Sequence, residues 1–388
     1  MWKHNMQAPH LEYVVVDYLW YRRKVEGADA DSSGFDVIDE WGRMVPDPDR
    51  WPSSVDGNGF TEVANKVHSM GLKFGIHVMR GISTQAVNAN TLILDTKTGE
   101  AFEEGRKKWT AQDIGIKERP CSWMPHGFMS VNTTARAGAA FLRSLYTQYA
   151  DWGVDFVKHD CVFGGDLDID EISVVSEVLK QLDHPIMYSL SPGTRASPAM
   201  AKDVSGLVNM YRITGDDWDS WENLGSHFDV SRDFAAANMI GATGLKGKSW
   251  PDLDMLPLGW LTDPESNEGP HRITNLTPDE QKSQVTLWSM AKSPLMFGGD
   301  FPYVTNGARS WIATGRDGEV YLAFFNVNTD QTEITAMTSD MAKVLPGKNL
   351  SSCMCHELWS GRNCGVLKQS LSKAIASHGC ELFIMFCS

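Results

Sequence analysis

Asp151-Trp-Gly-Val-Asp-Phe-Val-Lys-His-Asp160 is the stretch on which the fold turns. Before it, Thr134–Trp152 spaces its apolar residues for one helix face, and Gly153 closes that helix. Asp155–Lys158 follows at once as a strand. The same succession continues downstream, with a helix over Ile172–Leu182 and a strand over Ile186–Leu190. Upstream it is already running: strand Tyr13–Val16, helix Glu62–Met70 ended by Gly71, strand Lys73–Val78. Farther on come strand Val208–Ile213, helices Val230–Ile240 and Asp279–Lys292, and strand Pro294–Phe297. Strand, helix and strand at this spacing make parallel β-α-β units.

Seven strands can be counted if the stretch Gly247–Trp250 is included, and an eighth is not legible. Polar residues gather at their C-terminal ends: Asp17, Asp160, Ser191, Asp216 and Asp254. A (β/α)8 barrel carries its active site at that face. A doubly wound open sheet would usually show a glycine-rich phosphate turn, and none follows the first strand. The expectation is therefore an α/β chain, with a (β/α)8 TIM barrel over residues 1–304. Beyond about Thr305 the pattern changes. Asp317-Gly318 marks a hairpin turn, Glu319–Val327 a strand and Leu382–Phe386 a closing strand, so residues 305–388 are expected to form a small antiparallel β-domain.

A length of 388 residues, 42% of them hydrophobic, provides for a sizeable core. The net charge of -14 is spread along the chain, with no Lys/Arg cluster to neutralise phosphates. That argues against nucleic acid and suits a neutral substrate. No stretch is long and apolar enough to span a membrane. Seven cysteines leave at least one unpaired within the chain, and Cys353, Cys355, Cys364, Cys380 and Cys387 crowd toward the end. Their spacing is not that of a structural zinc site. The sequons at Asn132, Asn275 and Asn349, with the cysteines, point to a secretory history, although the first residues carry no signal peptide.

In Phe156-Val-Lys158-His-Asp160, strand alternation puts Lys158 and Asp160 on one face. A cation beside a carboxylate favours its charged form, which a nucleophile requires. An ordinary ion pair at a barrel rim fits the same residues. His77, His159 and Asp160 lack the paired spacing of a metal site, so packing or substrate contact suits the histidines better, and no metal or organic cofactor is called for. The second constellation is Tyr211-Arg-Ile-Thr-Gly-Asp216-Asp217-Trp-Asp219. Retaining glycoside cleavage needs two carboxyls ~5–5.5 Å apart. The residues alone do not choose Asp216 over Asp217, and Asp217 and Asp219 read equally well as a solvated acidic loop. Arg212 would supply an orienting fork.

Six ordered segments carry a resemblance: Gly42-Arg43 with Asp47-Pro-Asp-Arg-Trp-Pro52, Gly71-Leu-Lys-Phe-Gly-Ile76, Asp151–Asp160, Arg212-x-x-Gly-Asp216, Trp250-Pro-Asp-Leu-Asp-Met255 and Ala291-Lys-Ser-Pro-Leu-Met296. The chain resembles glycoside hydrolase family 27, the α-galactosidase or melibiase family. The segment Gln85–Asn132 and the cysteine-rich tail look most like its plant β-L-arabinopyranosidase-like members. The resemblance implies a retaining exo-glycosidase acting on terminal α-D-galactopyranosyl or β-L-arabinopyranosyl groups. It implies Asp160 as nucleophile and Asp216 as acid/base. Lys158, Arg212 and Asp17 would hold sugar hydroxyls, and Trp250 and Met255 would lie near the ring. The loop Ser189-Leu-Ser-Pro-Gly193 departs from the family, since many members carry a Glu or Cys there that reads the 2-hydroxyl, and Ser191 is assigned to that hydroxyl in its place. A Cys121–Cys161 disulfide beside the site is implied by a comparable pair in relatives, with buried thiols as the alternative. A secreted or vacuolar location follows the family too; oligomeric state is not legible.

Two further departures stand out. Family members commonly have two adjacent aspartates where this chain has Asp17-Tyr18, and the second serves the galactose 6-hydroxyl. Tyr18 removes that charge and adds bulk, which suggests a preference for arabinopyranosyl ends. Tyr18 turned into the barrel wall would leave selectivity unchanged. The chain also opens directly on the family's second strand, with only Met1–Leu11 before it, so the barrel is expected to lack its first strand and helix. A non-catalytic carbohydrate-binding relative is the competing reading.

Overall fold

The computed structural model describes residues 12–261, 272–297, 310–314, 319–326, 330–344, 353–367 and 369–387. The chain divides into two compact units, one running to Arg212 and including Thr243–Ser249, the other holding Ile213–Ala242 and the residues from Trp250 onward.

In the first unit, five parallel strands lie in chain order: β1 (Tyr13–Val16), β2 (Lys73–Met79), β3 (Phe156–Phe163), β4 (Met187–Pro192) and β5 (Met210–Arg212). Helices α1 (Thr61–Ser69), α2 (Arg136–Asp151) and α3 (Ile169–Gln181) sit in the connections. Gly71 and Gly153 follow the first two at φ +76° and +81°, a region costly for a side chain with a Cβ. This is the succession expected of the (β/α)8 class.

Parallel register sorts the strand residues into layers. Val15 pairs Gly75, Gly75 pairs Phe156 and Phe156 pairs Met187. One step on, His77 pairs Lys158, Lys158 pairs Ser189 and Ser189 pairs Met210. A further step pairs Met79 with Asp160. The lower layer is apolar and tight: a Cβ on Gly75 would sit 2.8 Å from the Phe156 ring and 3.1 Å from Val15. The other face of the strands is apolar almost throughout. Phe74, Ile76, Val157, Leu190 and Tyr211 are fully buried there, and Phe74 meets the Phe60 ring beside α1. Chemistry is thus confined to one face by a period of two.

β3 runs past the expected end at Lys158 to Phe163, which sets Asp160 within the pairing rather than beyond it. Asp160 survives burial there because both of its carboxylate oxygens find partners, a fact invisible to hydropathy. The strand expected at Gly247–Trp250 is displaced to Trp250–Asp252, with only an isolated bridge between Thr243 and Ser249 before it.

In the second unit, α4 (Trp221–Ala236) begins well before the expected Val230, because Ser220 caps it by accepting from the Asn223 N–H at 3.2 Å. α5 (Pro278–Ala291) starts from a capping box of Thr277 and Glu280 and packs on the strand Cys380–Cys387. That strand belongs to an antiparallel sheet with Val320–Phe325 and Cys353–Glu357 as its neighbours. Val320, Leu322, Phe324, Phe383 and Met385 form its core. Cys353 faces Cys387 across the strands and is joined to it by a disulfide. The expected boundary at 304/305, the turn Asp317-Gly318, Val327, the sequon at Asn349 and the opening segment Met1–Leu11 lie outside the described residues.

Candidate active site

Asp160 is 6% exposed, and both carboxylate oxygens are occupied. The Cys161 N–H donates to Oδ1 at 2.6 Å, and His77 Nε2 lies 3.1 Å from Oδ2. Cys161 achieves this at φ 62°, a backbone conformation that a non-glycine residue rarely adopts and that clusters at functional sites. Burial alone would raise the Asp160 pKa. The His77 hydrogen bond, then the charges of His77, Lys158 and Arg212, outweigh it and hold the carboxyl well below the ordinary carboxylate range.

Asp17, two residues beyond Val15, joins the same face. Loss of solvent pushes its carboxyl up, but Lys158, His77 and the Tyr18 N–H, which donates at 2.8 Å, bring it below its usual value against the like charge of Asp160. The Tyr18 ring stands edge-on to His77 at 6.0 Å and to Trp123 at 5.7 Å. It therefore lies beside the partner of Asp160, not within the barrel wall. Trp123 comes from the segment after Cys121, and Cys121 is disulfide-bonded to Cys161. Ser189 and Ser191 are buried, and neither hydroxyl has a hydrogen-bond partner in the described structure.

His159 points the other way. Its Nδ1 meets the Tyr188 hydroxyl at 2.8 Å, and its Nε2 lies 3.3 Å from Glu171 of α3. Strand alternation could have separated it from His77. That His77 would hold Asp160 needed the register between β2 and β3, which the sequence does not print. Trp123 had no signal beyond being aromatic.

In the second unit, the acidic run is not a solvated loop. Asp217 is fully buried: its N–H donates to Asp254 at 2.9 Å, and Gln284 donates to its carboxylate. Asp219 is 6% exposed and accepts from Arg272 at 3.1 Å and from the Asn275 N–H at 2.7 Å. Asp216 alone of the three is exposed. Trp250 is exposed and Met255 half-buried, while Asp254 is buried at φ 83°, in the same uncommon backbone region as Cys161.

Residues 103–316 match the model of the α-galactosidase A family, and residues 305–385 that of the α-galactosidase C-terminal β-sandwich domain. The chain belongs to glycoside hydrolase family 27. It is similar to the solved family 27 β-L-arabinopyranosidase of Geobacillus stearothermophilus, at 30% identity and TM-score 0.82, over 96% of this chain and 87% of that one. An aspartate-to-alanine variant of that enzyme was solved in complex with arabinose. A putative α-N-acetylgalactosaminidase of Bacillus halodurans is 28% identical, with TM-score 0.76 over 97% of this chain and 89% of that one. The α-galactosidase mel1 of Schizosaccharomyces pombe is 24% identical over 74% of this chain, which spans 53% of that relative's length. The family 27 likeness thus covers both the parallel unit and the antiparallel tail.

Proposed function

We propose that the protein is a retaining exo-glycosidase that releases terminal β-L-arabinopyranosyl groups in preference to the related α-D-galactopyranosyl groups. The observation that carries this reading is the setting of Asp160: a buried carboxylate held by the Cys161 N–H on one oxygen and His77 on the other, with the charges of Lys158 and Arg212 favouring its ionised form. Such a group is prepared to attack and costs no proton transfer.

Asp160 attacks the anomeric carbon while Asp216 protonates the departing glycosidic oxygen, leaving a covalent glycosyl-enzyme. Asp216, now a carboxylate, takes a proton from water as that water attacks the same carbon and frees Asp160. Two inversions give net retention. Asp216 is preferred to Asp217 for this role because Asp217 and Asp219 are spent on structural partners. Asp17, Lys158 and Arg212 bind sugar hydroxyls, Ser191 takes the 2-hydroxyl, and Trp250 and Met255 border the ring. An unpartnered buried hydroxyl at Ser191 suits a ligand that supplies its bond. The partner is a neutral carbohydrate, in keeping with a net charge of -14 and against nucleic acid. Two disulfides support an oxidising compartment, secreted or vacuolar.

Tyr18 supports the arabinopyranosyl preference. β-L-Arabinopyranose is the galactose ring without its CH2OH arm, and an uncharged ring braced by His77 and Trp123 offers that arm no hydrogen-bonding carboxylate. The test is hydrolysis of the two p-nitrophenyl glycosides by wild type, Asp160→Ala and Asp216→Ala, with the first-formed anomer read by proton NMR. Turnover lost in Asp160→Ala, with retention in wild type, supports the assignment. An inert wild type, or an unaffected Asp160→Ala, overturns it.

A further inference from the structure

His77 faces Asp160 with one ring nitrogen and has, among the described residues, no partner for the other. Nε2 lies 3.1 Å from Oδ2, while Nδ1 is buried without a hydrogen-bond partner in the described structure. His77 is 3% exposed; its backbone carbonyl accepts from Trp20 Nε1 at 2.7 Å, and the Tyr18 ring stands at the edge of the imidazole. A carboxylate can only accept, so the His77 Nε2 facing it carries a proton, and Nδ1 is the atom left for another partner.

We infer that His77 is a positioning residue for the nucleophile, donating from Nε2 to Asp160 Oδ2 and so setting both its rotamer and its ionisation, while Nδ1 is kept for a hydroxyl of bound sugar or a water. With Cys161 N–H on Oδ1, the carboxylate is held at both oxygens. The same bond works in opposite directions in the two halves of the reaction. It tempers the attack of Asp160, and it stabilises the carboxylate as it leaves the anomeric carbon. His77 keeps its proton in both halves. The other groups around this pair are Asp17 from the end of β1, Lys158 from β3, Arg212 from β5, and the rings of Tyr18 and Tyr21. Two cations already favour the ionised acid, so His77 adds to them rather than acting alone.

The inference rests on Asp160 as nucleophile, but its test does not require turnover. The Asp160 carboxyl carbon, assigned by its loss in Asp160→Asn, is titrated by carbon-13 NMR in wild type, His77→Phe and His77→Gln. Removing a donor from the charged form raises the midpoint by about one pH unit in His77→Phe, and Gln, which can still donate, returns most of it. The acid limb of kcat/KM moves upward by the same amount where a glycoside is turned over. An unmoved midpoint in folded His77→Phe overturns the inference. If His77→Phe does not fold, nitrogen-15 shifts of wild type decide: a proton on Nε2 that responds to Asp160→Asn upholds it, and the opposite tautomer sinks it. An inert wild type with a coupled titration would end the proposed function, and with it the catalytic role of His77, and leave only the His77–Asp160 pairing standing.

Discussion

The disulfide between Cys121 and Cys161 fastens the segment carrying Trp123 to the residue next to Asp160. Cys161 thus does two jobs, one through each of its atoms: its N–H holds a carboxylate oxygen and its sulfur holds a wall of the site. Trp123 in turn backs Tyr18.

Replacing both cysteines by serine removes a link with a sequence separation of 40. A loop of that size contributes roughly 3–4 kcal/mol by restricting the unfolded chain. The double variant should unfold at lower urea concentration and show a raised KM, as Trp123 loses its anchor. Thiol titration of denatured, unreduced wild type should find three free groups, from Cys355, Cys364 and Cys380. A higher count would mean that a disulfide does not form.

Asp216 and Asp217 are neighbours with opposite expected phenotypes. Asp217→Ala strips the buried amide of Gln284 of its acceptor and should cost about 1–3 kcal/mol of stability. Asp216→Ala, at an exposed position, should melt like wild type while losing about 100-fold or more in kcat on a poor leaving group. Urea unfolding beside kinetics separates the two. A reversal of the pattern would move the acid/base role to Asp217.

The pair of Asp219 and Arg272 should give stability its own acid limb. Loss of solvent pushes the Asp219 carboxyl up, but Arg272 and the Asn275 N–H outweigh it and leave it below its ordinary value. The folded state therefore expels this proton more readily than the unfolded chain. The contribution is full above the unfolded pKa of about 3.9 and fades as pH falls through the folded value. Asp219→Asn should be less stable than wild type at pH 7, and the gap should close as the solution is taken below about pH 4. A gap constant down to strong acid would deny the pair this role.

The order of strands and helices was legible because glycines such as Gly71 and Gly153 punctuate them and period two marks the strands. Element ends were less so. β3 overruns Lys158 because Asp160 is stabilised by His77, a residue more than eighty positions away that only register brings alongside. Ordered family motifs made the site residues nameable, but no local pattern separates buried Asp217 from exposed Asp216. That difference is made by Gln284 and Asp254, which arrive from distant parts of the chain. The Cys121–Cys161 link was implied only by resemblance, and the Cys353–Cys387 link depends on the pairing of two strands.

Tyr18 gives the sharpest test of substrate choice. Wild type should favour the β-L-arabinopyranoside over the α-D-galactoside in kcat/KM, by about 10–100-fold, the range a steric and unpaired-hydroxyl penalty provides. Tyr18→Asp restores a carboxylate for the 6-hydroxyl and opens room for the arm, so the ratio should fall or reverse. The gain has a cost. A new negative charge enters beside Asp17 and Asp160, whose pKa values rise as a result, so the acid limb for both substrates should move to higher pH. Tyr18→Phe keeps bulk and neutrality and should leave the ratio near wild type. If Tyr18→Asp changes the rates of both glycosides equally, the ring braced on His77 and Trp123 shapes the site without choosing the sugar.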